Sequence, residues 1–431
     1  MAWTSPTIPI LTSENSPIPM TLEETSYLGI IPYLVAILYC PIVSTVIDII
    51  GRKYTLLIVV TPQLIGWLML ACAQSRILLF CARTISGLTD GGILIAIPIY
   101  LGETLEPKIR GKLVCLISTS LYMGQLVVNI VGSYSSISVT AFICSIFPAI
   151  FIIFWPIYPE SPYYLLMKGK HKEAEVSLNK LRKNSNIQQE LHELELSVRR
   201  QMSEPKSMKD FFRQQHNRSA LFVAVGLRIA NQLSGITAFT MYTQHIFKYS
   251  ASDISSITSS IIFFGLLTTL VLLVSLFIDK FGRRPLSIIS SAGCTITLGL
   301  LSIYFAIEEF TSIDTSLVTW LPIVLMMLFI IVFCLGHAMI PTVMLSELFS
   351  VNMKGTSLCV MNIFTLLCIA FTSKIFQIVT SNVGMFASFL FFAVCSFFSS
   401  IFCYYCVPET KGKTLEEIQQ IFLHKARQNA N

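Results

Sequence analysis

Charge is what this sequence has least of. Of its 431 residues only 13% are Asp, Glu, Lys or Arg, roughly half the share of an ordinary soluble domain. A soluble chain of this length would split into domains and keep more charge for its surfaces. Soluble enzymes, nucleic-acid binders and disordered scaffolds are therefore excluded at the outset. There is no Walker motif, no Rossmann glycine run, no catalytic-triad context and no signal peptide, which argues against an ATP-driven pump or an enzyme and implies no cofactor. The 12 cysteines are scattered over apolar stretches and read as small apolar residues. Cys403 and Cys406 have redox-motif spacing but lie in an apolar block without a second pair, so no metal or redox centre is expected.

What the chain has in plenty is apolar sequence, 54% by composition, in blocks long enough to cross a bilayer. Eleven blocks stand near 27–47, 54–75, 77–101, 113–133, 138–158, 219–244, 256–278, 286–306, 318–344, 356–380 and 384–407. The pattern is that of an all-α polytopic membrane protein, with the lipid bilayer as its first partner. The net charge of +6 says little until the bases are placed. The long polar segment 159–218 carries twelve of them, and 25 of the 30 fall on the same side when the loops are taken alternately. By the positive-inside rule that side, with the central linker and the carboxy terminus, is cytoplasmic. Glu190, Glu193 and Glu195 at helical spacing suggest short amphipathic helices in the linker.

Three motifs recur in the same order on both sides of the linker. They are Asp48-Ile49-Ile50-Gly51-Arg52-Lys53 and Asp279-Lys280-Phe281-Gly282-Arg283-Arg284; Glu103 to Arg110-Gly111 and Glu347 to Lys354-Gly355; and Pro159-Glu160-Ser161 and Pro408-Glu409-Thr410. Duplication of a six-span unit around a cytoplasmic linker is the expected origin. The second unit has its six spans and the first has five. The expected division is 1–26, an extracellular remnant of a first helix with its loop; 27–158, five spans; 159–218, the linker; 219–407, six spans; and 408–431, a tail. On this reading the opening helix is largely missing and the chain is shortened at its start.

These ordered motifs resemble the sugar porter family of the major facilitator superfamily over essentially the whole chain. The likeness is greatest to insect facilitated trehalose transporters, through Tyr100-Leu101-Gly102-Glu103-Thr104 and Pro408-Glu409-Thr410-Lys411-Gly412-Lys413 with their flanks. The resemblance implies a two-half transporter fold in the plasma membrane, a small-molecule sugar as substrate, and movement by alternating access. It also implies that Asp48, Arg52, Lys53, Glu103, Arg110 and Glu160 form one cytoplasmic charge latch, and Asp279, Arg283, Arg284, Glu347, Lys354 and Glu409 another, each breaking as the cavity opens inward. Ile49 and Tyr163 stand where the family usually has bases, which weakens the first latch.

A neutral sugar needs amides and hydroxyls that both donate and accept, with an aromatic face for its C–H side. Asn231, Gln232, Thr237 and Tyr242 in the sixth block supply that chemistry; interhelical hydrogen bonding is the structural alternative. The resemblance favours substrate contact and adds Asn362 and Thr342. Asn231, Thr237 and Met241 replace the family's usual Gln, Asn and Tyr, and Thr342 and Ile363 stand where Trp is usual. The lost aromatic surface weakens binding of an ordinary hexose or widens the pocket. Trehalose and a hexose both stay open as substrates.

Arg83, Asp90 and Arg228 lie inside apolar blocks, where a charge is costly unless paired or hydrated. Asp90 and Arg228 come to roughly 20 Å from one side and 13 Å from the other at helical rise, depths that coincide in a core about 30 Å thick. An intramembrane Asp90–Arg228 pair is expected, with separate hydration in the cavity as the alternative. Three functional readings follow: a facilitative sugar carrier; a transport-inactive paralogue or a chain shortened at its start; and a proton-coupled symporter of a sugar or polyol, with Asp90 as the titrating group.

Overall fold

Each apolar block forms a helix in the structure, a computed structural model that describes residues 2–182, 187–203, 215–249, 255–277, 280–311, 318–348, 354–413 and 417–418. The side chains of 107–115, 200–203, 215–217, 345–346 and 354–357 are not described. Among the described residues there is no strand, and 11 helical segments are long and apolar enough to cross a membrane.

A short helix α1 (Thr4–Leu11) is followed by α2 (Leu22–Ile50), α3 (Arg52–Ala71), α4 (Arg76–Thr104), α5 (Pro107–Tyr134) and α6 (Ile137–Phe154). Their starts are written in the sequence. Thr21 and Glu24 form a reciprocal capping box, each side chain accepting from the other's backbone N–H, which satisfies two of the orphan donors at the start of α2. Ser75 and Ser136 cap α4 and α6 with one bond each, accepting from the N–H groups of Leu78 and Val139. The prolines inside α2, α3, α4 and α6 do not end these helices, as is usual where neighbouring membrane helices re-satisfy the freed carbonyls.

The linker folds into α7 (Pro162–Met167), α8 (His171–Leu181) and α9 (Ile187–Ser203), which share a small core of Tyr164, Leu165, Leu178, Leu191 and Val198. Arg182 ties this unit to the amino-terminal helices, donating to the Thr104 carbonyl at 2.9 Å and to Glu190 at 2.8 Å. The carboxy-terminal set comprises α10 (Gln215–Leu233), α11 (Ile236–Tyr249), α12 (Ser256–Phe277), α13 (Arg283–Phe310), α14 (Leu321–Leu335), α15 (Ile340–Leu348), α16 (Lys354–Asn382) and α17 (Met385–Tyr405).

The two sets meet along α2 against α16 and α5 against α12, while α1 packs on α11. They are packed unequally. Among the described residues every fully buried phenylalanine, including Phe239, Phe329, Phe389 and Phe392, lies in the carboxy-terminal set, with Phe239 in ring contact with the other three. The main cavity extends into the amino-terminal set, reaching Gln63, Trp67 and Phe147. Outward-facing Leu38, Ile77 and Ile153 are at least 70% exposed, a surface stable only against lipid.

Candidate functional site

Two spans of the carboxy-terminal set are broken. Between α10 and α11 the chain turns at Ser234-Gly235, with Gly235 at φ 85°, a left-handed conformation that costs other residues about 1–2 kcal/mol. A Cβ there would also sit 2.8 Å from Phe392. Between α14 and α15 the turn Gly336–Met339 leaves helical backbone. Such discontinuities expose backbone polar groups at membrane depth where they line a cavity. Here the freed carbonyl of His337 accepts from Asn231 Nδ2 at 2.6 Å. Gln232 Nε2 donates to Asn231 Oδ1 at 2.8 Å, and Thr237 Oγ1 donates to Gln232 Oε1 at 2.6 Å.

This relay holds the two amides in fixed orientations and leaves each a second amide proton, so the group can still donate to a ligand. Asn231, Gln232, Thr237, Thr342 and Asn362 line one cavity of about 1320 Å³ between the two sets. Asn362 reaches across it, donating to the Leu94 carbonyl of α4 at 3.3 Å. Tyr242, expected from the sequence to contact substrate, does not line the cavity. It is 3% exposed and packs on the Phe376 ring at 5.1 Å. Five residues beyond Thr237 is a rotation of about 140° on a helix, which turns Tyr242 away from the face that Thr237 presents.

Asp90 and Arg228 both line the cavity, but no ion pair joins them among the described residues. Arg228 Nη2 donates to Thr342 Oγ1 at 3.1 Å within its own set, and its Nε is buried without a partner. The depth arithmetic placed the two charges at one level, and it could not say which way around its helix each points. Arg83, 5% exposed, donates to the Leu28 carbonyl at 3.1 Å and lies over the Trp3 ring at 5.2 Å.

The duplicated motifs build the same cluster twice. In the amino-terminal set Arg52 makes a two-pronged bond to Glu103, both contacts at 2.8 Å, and a third to Asp48 at 3.0 Å. The Ser161 hydroxyl donates to the same Glu103 carboxylate. Among the described residues Glu160 forms no ion pair; its carboxylate accepts from the backbone N–H groups of Arg52 and Lys53 at 2.9 and 3.1 Å. It thus caps α3, whose N-cap Gly51 has no side chain. Gly51 leaves the room: a Cβ there would lie 2.4 Å from Glu160 Oε2.

Among the described residues the second cluster repeats the guanidinium–carboxylate pair, the hydroxyl donor and the capping glutamate. Arg283 bonds Glu347 at 2.9 and 3.2 Å, the Thr410 hydroxyl donates to Glu347, and Glu409 accepts from the backbone of Arg283 and Arg284 at 3.0 and 3.2 Å. A Cβ on Gly282 would meet Glu409 Oε2 at 2.4 Å. Burial pushes the Glu409 carboxyl up, but the backbone N–H groups of Lys411, Arg283, Arg284 and Thr410 outweigh it and hold it below the usual value.

Lys53 and Arg284 were expected to join the latches, and neither pairs with an acid among the described residues. Lys53 Nζ donates to the Pro156 carbonyl at 3.2 Å over the Trp155 ring, and Arg284 Nη2 donates to the Tyr404 carbonyl at 2.6 Å. Asp279 lies outside the described residues, and so do the side chains of Arg110 and Lys354.

The cavity continues to the linker side, where Met167, Leu194 and Ser197 line it. Both guanidinium–carboxylate pairs, Arg52–Glu103 and Arg283–Glu347, are closed in this structure. Each pair belongs wholly to one set, so rocking the sets against each other changes none of its distances. On the opposite side the bonds do cross between the sets. Lys374 of α16 donates to Ser26 at 3.1 Å and sits over the Tyr27 ring at 3.9 Å, both at the start of α2. Ser260 donates to Asn129 at 3.1 Å, and Gln244 donates to Ser133 at 2.7 Å.

Lys374 and Arg182 were not singled out from the sequence. Lys374 had the signal that flagged Asp90, a charge inside an apolar block, whereas Arg182 was one base among twelve in the linker.

The profile of the family described as "Sugar (and other) transporter" matches residues 20–422. A facilitated trehalose transporter of Bombyx mori is 31% identical over 429 residues, covering 99% of this chain and 84% of its own length. One of Apis mellifera ligustica is 31% identical over 415 residues, with 95% and 82% covered. Among solved structures, the xylose transporter XylE from E. coli in an inward open conformation superposes with a TM-score of 0.78 at 22% identity, covering 97% of this chain and 95% of that one. The proton:xylose symporter XylE bound to 6-bromo-6-deoxy-D-glucose gives 0.77 at 22% identity, with 98% and 95% covered. At that identity the superpositions bear on the fold alone.

Proposed function

The chain belongs to the sugar (and other) transporter family, and from that premise we propose that it carries a small sugar through a membrane by alternating access, down the sugar's gradient. The observation that supports this best is the fixed amide relay Asn231–Gln232–Thr237 facing a cavity of about 1320 Å³ between the two helix sets. Hydroxyl-rich ligands are recognised by such donor–acceptor groups, and the volume accommodates a disaccharide. Trehalose is the first substrate to try, since it names the relatives, and glucose the second.

The division into two halves around a linker at 159–218 follows the duplicated motifs. The basic loops support a cytoplasmic linker and carboxy terminus, in the plasma membrane. On this orientation the cavity faces the cytoplasm, and the Lys374 contacts close the outer side. The two charge clusters then hold each half rigid at its cytoplasmic end while the halves rock.

The test is counterflow of labelled trehalose and glucose in liposomes carrying the purified chain. Entry of label against preloaded unlabelled sugar is expected. Gln232→Leu should cut it by about 10- to 100-fold, since a buried donor–acceptor left unmatched costs roughly 1–3 kcal/mol. Label that exchanges equally well in wild type and variant removes the relay from the proposal.

A further inference from the structure

Arg228 has no place in a site built only for neutral sugars. It stands one helical turn before Asn231 and Gln232 on α10, lines the same cavity, and bonds Thr342 on the facing helix. Among the described residues no carboxylate lies within ion-pair distance of it, and its Nε is buried without a partner. A guanidinium at membrane depth is ordinarily paired. A planar fork with unused donors, beside amides that bind hydroxyls, matches a ligand that carries hydroxyls and an acid group on one small frame.

Nothing nearby neutralises it. Asp90 also lines the cavity, but it shares α4 with Arg83 at a spacing of two turns, and Arg83 likewise has a buried Nη2 without a partner. Two guanidiniums against one carboxylate leave these three cavity charges with a net positive charge. At the linker end Arg52 is ion-paired to both Glu103 and Asp48, so the six charged side chains that line the cavity sum to zero. What stands at the level of the amide relay is a guanidinium without a carboxylate partner among the described residues.

We propose that the cavity accepts acidic sugars beside neutral ones, with Arg228 seating the anionic group while Asn231, Gln232 and Thr237 hold the hydroxyls. The inference rests on the sugar-carrier reading and refines its substrate class. A carboxylate, as in a uronate, and a phosphate ester present the same chemistry to Arg228, and experiment separates them. If the carrier takes no coupling ion, a singly charged sugar moves with its charge. Its distribution then follows the membrane potential, whereas that of a neutral sugar does not.

Liposomes carrying the full chain are tested with labelled glucose, glucuronate and glucose 6-phosphate, with and without an inside-positive potassium diffusion potential. Glucuronate should accumulate about tenfold at about 59 mV, and glucose should show no response. Arg228→Met should lower the glucuronate-to-glucose uptake ratio at least tenfold, with Arg228→Lys keeping most of it. The ratio is read within one preparation, so poor folding of a variant cannot imitate the result. Movement of glucose 6-phosphate in place of glucuronate assigns the site to phosphate esters.

Glucose uptake with neither acid moving overturns this inference and leaves the carrier reading standing. So does acid uptake that is indifferent to the potential or to Arg228→Met. No uptake of any of the three sugars overturns the carrier reading for these substrates, and this inference with it.

Discussion

The two charge clusters repeat each other so closely that one glycine substitution serves as the control for the other. Gly51 and Gly282 both precede a helix whose first N–H groups are capped by a distant glutamate, and in both a Cβ would meet that carboxylate at 2.4 Å. Their backbones differ. Gly51 sits at φ 102°, where a side chain is strained, and Gly282 at φ −71°, where any residue is at ease. Gly282→Ala should therefore cost only the displaced cap, about 1 kcal/mol. Gly51→Ala should cost the cap and the backbone strain together, about 2–3 kcal/mol. The clusters also help here, because moving Glu160 leaves the buried Arg52–Glu103 pair in place. The assay is unfolding of purified wild type and both variants in one detergent, followed by tryptophan fluorescence. Equal losses, or a larger loss at Gly282, would refute the argument that φ at position 51 is what reserves it for glycine.

Three further outcomes follow from the same geometry. Lys374→Met removes a cation–π contact and the Ser26 bond between the sets, together worth about 1–2 kcal/mol. Hydrogen exchange should then quicken about 5- to 30-fold at 22–28 and 374–381, and unchanged exchange would mean that these contacts do not close that face. Glu409 has a carboxyl held below the usual value of 4.5. A lowered folded-state value gives stability that is full above the unfolded value and is lost as pH falls through the folded one. Wild type should thus outlast Glu409→Gln at pH 7, with the difference beginning to close as pH falls below about 4.5; a gap that does not shrink at all on acidification contradicts the capping role. Downhill transport without coupling predicts that trehalose uptake is unaffected by an imposed pH gradient, and uphill accumulation driven by one would make Asp90 the first residue to substitute.

The spans were legible because an uninterrupted apolar run of bilayer length has few other fates. Blocks such as 256–278 and 384–407 fall within a residue or two of α12 and α17. The partners within the duplicated motifs were legible in part. The resemblance put Arg52 and Glu103 in one cluster without pairing them, and it could not distinguish a glutamate that binds a guanidinium from one that caps a helix, which is what Glu160 and Glu409 do. Azimuth was the other loss. Asp90 and Arg228 both line the cavity without an ion pair between them among the described residues, and Tyr242 shares a helix with Thr237 and not a face. Contacts between the sets, such as Lys374 with Ser26, depend on two segments hundreds of residues apart and leave no local pattern.

The central claim is that sugar passes through the cavity at the amide relay. Counterflow of labelled trehalose in liposomes, wild type against Gln232→Leu, tests it most directly. The account predicts saturable entry by the wild type that falls about 10- to 100-fold in the variant, with glucose competing. Absence of entry of either sugar into liposomes holding folded wild-type protein would contradict it.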